Sequence, residues 1–173
     1  MLKKRLAQLL ASNAPAATLL VRATVGFVFL TSGIVKFAFE NQGEGRFAKL
    51  GFHAAEATAY FVGTVEIVAG AMLLFGLLTR LAAIPLVINM AVAIVTSKLP
   101  LLFGPGPEPV AAAPKVGIWA FAYVARLDVT MLLLLLFLAV AGAGAYSFDA
   151  WFLRRMRTGT ERIWSTGENA IYG

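Results

Sequence analysis

The sequence predicts an all-α fold: a four-transmembrane-helix bundle, antiparallel, with interfacial segments in its loops and in a C-terminal tail. Three observations carry that expectation. Hydrophobic residues make up 60% of the 173-residue chain and charged residues only 14%, and the apolar residues fall in long runs instead of stripes that leave a polar face. Four runs approach the roughly 20 residues that a helix needs to cross a bilayer. The joints between them are polar, glycine-bearing or proline-rich, so the chain reverses there. Residues 1–149 make one compact membrane domain, and residues 150–173 form an interfacial or cytoplasmic tail.

The first helix is placed at 14–39. Its lead, MLKKRLAQLL, has the basic character of a signal peptide. The apolar run that follows is long and ends in no small-residue cleavage pattern, so a retained helix is expected. Ser12 or Asn13 can cap it and Pro15 suits its first turn. Arg22, Gly26, Phe29, Gly33 and Lys36 recur at helical spacing and form one stripe with a cation at either end.

Residues 40–56 form a polar surface loop with a short amphipathic piece (Phe47, Leu50, Phe52). The second helix, at 57–78, organises the bundle. Glu66 stands near its middle, and Gly63, Glu66 and Gly70 share one face. Small residues admit a close neighbour, and a carboxylate at that depth must face the bundle interior or a wet cavity. Gly76 can end the helix in the left-handed conformation and Thr79 can cap its successor, which forces an antiparallel hairpin.

The third helix, at 81–99, carries Asn89 at its midpoint and Lys98 near its end, is bent by Pro85 and is stopped by Pro100. LFGPGPEPVAAAP then makes a stiff linker. Residues 115–126, with Trp119, Phe121 and Tyr123, suit the headgroup level, so the fourth helix is placed at 127–146, between Asp128 and Asp149. In the tail, Arg154 and Arg155 mix with Trp151 and Trp164, a composition suited to an interfacial helix and a partner surface.

Loop charges set the expected orientation. Lys3, Lys4, Arg5, Arg80, Arg154, Arg155, Arg157 and Arg162 gather on the side of the termini, against Arg46, Lys49, Lys98, Lys115 and Arg126 opposite. Both termini are therefore expected to be cytoplasmic. The same distribution explains the net charge of +6 without nucleic-acid binding. The chain has no cysteine and one histidine, His53, which excludes thiolate chemistry, iron–sulfur ligation and a bis-histidine haem within this subunit. No nucleotide loop, metal cluster or catalytic triad is visible, and no covalent cofactor is expected.

The strings LTSGIVKF (30–37), VGTVEIVAGAMLLFGLLTRLAA (62–83) and YSFD (146–149) resemble those of the DoxX family of small four-helix membrane proteins. The string around Glu66 is the most specific of the three. The resemblance implies a bacterial inner-membrane subunit linked to quinone-dependent oxidoreductases. Residues 150–173 extend past the family-like region.

Glu66 and Asn89 fall at similar depth on successive helices. A protonated Glu66 can donate to the Asn89 carbonyl while the Asn89 amide donates back; Arg22 is the nearest candidate cation. A proton or quinone site and a polar lock between helices, worth ~0.6 kcal/mol per hydrogen bond, both fit, and the lock is preferred. A lock with Asn89 as its partner would tolerate Glu66→Gln. Lys36, Lys98, Arg126 and Asp128 are expected near the outer face, where Lys36 and Asp128 can pair. The remaining positive charge would hold an anion, or a quinone carbonyl beside Trp119 or Tyr123. Against this, basic side chains near helix ends commonly snorkel to headgroups, the preferred reading for Lys98. Lys36 stays open between the two.

The function expected is a non-catalytic subunit, embedded in lipid, that anchors or supports larger protein partners in quinone-linked electron transfer. The alternative is direct participation in a quinone or quinol site. A small-solute transporter ranks third, because no internal repeat supports alternating access.

Overall fold

The computed structural model describes residues 14–106 and 114–155, and every regular element among them is helical. The order is α1 (Thr18–Ala38), α2 (Glu44–Lys49), α3 (Ala55–Phe75), α4 (Thr79–Ala93) and α5 (Ile118–Ala141), with a last helix, α6, over 148–155. A π-helical turn (Ile94–Lys98) and a 3-10 turn (Leu99–Leu102) extend α4. Four helices are long and apolar enough to span a membrane: α1, α3, α4 with its extension, and α5.

The outside of the bundle is apolar. Leu20, Phe27, Phe61, Ile88, Leu133 and Val140 all face outward. Arg22, Glu66, Lys98 and Asp149 are buried instead. Charges inside and hydrocarbon outside is the arrangement that a lipid solvent favours. The core is made by Val25, Phe29, Ala69, Leu73, Leu86, Met131, Leu135 and Leu138, contributed by α1, α3, α4 and α5.

Helix boundaries differ from the sequence expectation in several places. The first helix begins at Thr18, after turns in which Thr18 and Leu19 donate to Pro15 and Ala16; Ser12 and Asn13 lie outside the described residues. Gly76 does close α3 in the left-handed conformation (φ 67°), but Thr79 caps nothing. Leu78 holds the N-cap position, itself left-handed (φ 47°). Pro100 does not end the third span, because it stands in the first turn of the 3-10 extension, where a missing N–H costs nothing.

The fourth span begins at Ile118, not Leu127, and ends at Ala141, not Tyr146. Arg126 and Asp128 read as a helix boundary but are not one. Arg126 folds back on its own helix, donating to the Tyr123 carbonyl with its guanidinium over the Tyr123 ring. Asp128 turns inward and lines a cavity. At the other end, Gly142 (φ 82°) and Gly144 (φ 78°) leave helical space. Residues 142–147 thus form a crossing loop between α5 and α6.

Candidate functional site

The site begins with glycine. A Cβ on Gly26 would lie 2.8 Å from the Gly70 carbonyl oxygen, and one on Gly33 would lie 2.7 Å from that of Gly63. The two glycine stripes of α1 and α3 therefore face each other, antiparallel, with the backbones in contact. In that register Lys36 and Glu66 are offset along the axis by six residues, or about 9 Å. Side chains lean toward the N-terminus of their own helix, so in an antiparallel pair these two lean toward each other.

They meet. Lys36 Nζ donates to Glu66 Oε2 at 2.5 Å, with side chains 10% and 4% exposed, and also to the Ser32 carbonyl at 3.4 Å. Asn89 Nδ2, from α4, donates to Glu66 Oε1 at 2.7 Å. Glu66 is therefore a two-sided acceptor, not the donor of a reciprocal pair with Asn89. Its cation is Lys36, not Arg22, and Lys36 does not pair with Asp128.

A cavity of about 340 Å³ opens beside this cluster. Lys36, Glu66 and Asn89 line one part, Lys98 and Asp128 another, and Arg46 reaches it from α2. Its apolar walls include Val28, Phe29, Leu127 and Met131, with Phe47 and Phe52 beside α2. Lys98 does not snorkel: it is 7% exposed. The π turn at Ile94–Lys98 inserts a residue into the helical period, which rotates Ser97 and Lys98 to the inner face, where both are buried.

Two polar valences at this site have no partner among the described residues. An ammonium has three donors, and Lys36 uses two of them, on Glu66 and on Ser32. Asn89 makes its one hydrogen bond through Nδ2, leaving Oδ1 as an acceptor on the cavity wall. A donor and an acceptor thus stand beside a wall of hydrocarbon.

Trp119 and Tyr123 do not join the site. Trp119 is 75% exposed on the outer face of α5, and Tyr123 faces outward under Arg126. Arg126 is exposed and absent from the cavity. Trp151, Arg154 and Arg155 are exposed on α6, with the Arg155 guanidinium 5.3 Å from the Trp151 ring centre; Trp164 lies outside the described residues.

Arg22 builds a second polar cluster, at the opposite end of the bundle. Only 2% exposed, it donates to the carbonyls of Ala143 (2.5 Å) and Tyr146 (2.7 Å), which the loop after α5 leaves unpaired. Asp149 accepts from the N–H groups of Leu78 (2.8 Å) and Thr79 (3.2 Å) and so caps α4 from far along the chain. Its own N–H donates to the Gly76 carbonyl. Burial pushes the Asp149 carboxyl above the ordinary range; the two backbone donors and Arg22 oppose that shift without cancelling it. Sequence reading marked Asp149 only as a boundary, and its presence in the string YSFD was the available signal. Arg46 and Ser32 were also missed as site residues; for Ser32 the string LTSGIVKF was the available signal, and nothing around Arg46 sets it apart.

Comparison with known proteins adds the following. A family model described as DoxX matches residues 17–99. The chain is 43% identical over 123 residues to "Uncharacterized membrane protein Rv3486" of Mycobacterium tuberculosis (strain ATCC 25618 / H37Rv), over 70% of this chain and 72% of that protein. It is 30% identical over 82 residues to "Putative oxidoreductase CatD" of Bacillus subtilis (strain 168), over 47% of this chain and 60% of the relative. No solved structure matches.

Proposed function

The chain belongs to the DoxX family, and from that premise we propose that it is the membrane subunit of an oxidoreductase complex. In this reading it holds no redox centre of its own and receives the head group of a quinone in the cavity beside Lys36, Glu66 and Asn89. The observation that carries the reading is the pair of open valences there, the third Lys36 donor and Asn89 Oδ1, set against an apolar wall. The name of the B. subtilis relative supports the link to oxidoreductases.

The residues fit such a guest. A quinone ring has two carbonyl oxygens that accept hydrogen bonds, and its reduced form has hydroxyls that donate. When bound, it supplies the two-electron carrier chemistry that a chain without cysteine does not provide. Lys36 would donate to an oxygen of the ring, and Asn89 Oδ1 would accept from that oxygen in its hydroxyl form. Glu66 holds both side chains in place and would take up the proton released when a quinol is oxidised. Lys98 and Asp128 present a second donor and acceptor across the cavity, and Phe29, Leu127 and Met131 exclude water from the ring face. Electrons would pass between the bound head group and a partner subunit.

One observation favours the plainer support role. Both oxygens of Glu66 are already satisfied by partners within the bundle, which makes a complete lock between α1, α3 and α4. Binding of a short-chain quinone to the full chain in lipid nanodiscs separates the readings. Saturable binding to wild type is expected, weakened about tenfold in Ala93→Phe, which narrows the cavity one turn from Asn89. Absence of binding to wild type would leave the lock as the role of Glu66.

A further inference from the structure

A second pocket, of about 210 Å³, lies against the outer side of the ion pair and is lined by Thr31, Ser32, Val35, Lys36, Gln42 and Arg46. It shares Ser32, Lys36 and Arg46 with the larger cavity. The two differ in character. The larger cavity is walled mainly by aliphatic and aromatic side chains, whereas five of the six residues around the smaller pocket are polar.

Lys36 stands where the two join. Its ammonium spends one donor inward on Glu66 and one on the Ser32 carbonyl. A third donor on a nearly buried cation is costly to leave unmet, and the smaller pocket has room for the water to meet it. Gly43 makes the opening possible. A Cβ there would collide with the Lys36 carbonyl, so only glycine lets the loop turn back over the end of α1. That turn carries Gln42, exposed, to the mouth of the pocket.

We infer that the pocket of Thr31, Ser32, Gln42 and Arg46 is a water-filled side entrance through which water and protons reach the Lys36–Glu66 pair. It is separate from the apolar walls that would admit a lipid-soluble guest. The charged groups around the route are Lys36, Arg46 and Glu66, with Lys98 and Asp128 farther in across the larger cavity. Its use as the proton route for a bound head group rests on the reading above. The entrance itself does not, and its test uses no quinone.

The chain has no cysteine, so Ser32→Cys introduces a single, nearly isosteric thiol. Thiol reagents react with the thiolate, which requires water. In the full chain reconstituted in nanodiscs, an anionic methanethiosulfonate reagent is expected to modify Ser32→Cys at least about tenfold faster than Ile34→Cys. Ile34, 49% exposed, faces outward on the same helix. Gln42→Trp, at the exposed mouth, is expected to slow the reaction. A Ser32→Cys rate no faster than that of Ile34→Cys would overturn the proposal. So would a rate unmoved by Gln42→Trp in a variant with an unchanged melting curve.

Discussion

Removing the charge of Glu66 tests the site at its centre. At an N–O separation of 2.5 Å and an effective dielectric constant near 20, the gross attraction between Lys36 and Glu66 is about 7 kcal/mol. Desolvation of the two ions offsets much of it, yet removing one partner leaves the other buried and uncompensated, at a cost of ~3–5 kcal/mol. Lys36 keeps contact with the side pocket, so the lower end applies: about 3 kcal/mol for Glu66→Gln, or roughly a hundredfold in the folding constant. Lys36→Met is expected to cost a similar amount. The double variant should be more stable than either single one. It buries no lone charge, and the amide introduced at position 66 still accepts from Asn89. Denaturant titration of the full chain in mixed micelles, followed by tryptophan fluorescence, measures all four corners of the cycle. Single variants that each lose less than about 1 kcal/mol, or losses that simply add in the double variant, would refute the ion-pair argument.

Three further outcomes are expected. Gly33→Val should lower stability by about 1–3 kcal/mol, measured in the same titration, because its Cβ meets backbone atoms of Gly63 and Ile67 that cannot swing aside. For Asp149 the folded carboxyl sits above the ordinary range, so the folded state binds more protons than the unfolded one in the window just above the unfolded value. Its contribution to stability therefore falls as pH rises. The melting temperature of wild type minus that of Asp149→Asn should decrease as pH rises above the ordinary carboxylate range, and an increase would reverse the assignment. A topology reporter placed after Gly106 should be extracytoplasmic, and one after Arg155 cytoplasmic, since one span, α5, separates the two points and the loop charges favour cytoplasmic termini; a shared location would contradict the four-span bundle.

The bundle was legible in the sequence because lipid imposes simple requirements: span length, glycine stripes and buried charge. The stripe Arg22–Gly26–Phe29–Gly33–Lys36 and the face Gly63–Glu66–Gly70 were both readable and do face each other. Asn89 was readable as a partner for Glu66 from depth alone. What depth could not show was which cation would arrive. Arg22 and Lys36 lie on the same stripe, and the choice depends on the lean of side chains in an antiparallel pair and on carbonyls freed by the loop at 142–147. That choice also reverses the expected tolerance of Glu66→Gln. The inward turn of Lys98 needed the π turn, for which the string IVTSK gives no sign. The early start of α5 was hidden because Arg126 and Asp128 resemble a boundary, although each is accommodated within a continuous helix.

Photolabelling shows whether a quinone head group sits inside the bundle. An azidoquinone is irradiated with the full chain in nanodiscs, and the adducts are mapped by mass spectrometry with and without excess unlabelled quinone. Adducts on cavity residues such as Val28, Met90 and Met131, suppressed by the competitor, are the expected result. Labelling confined to outward-facing residues such as Phe27 and Trp119, and indifferent to competitor, would contradict it.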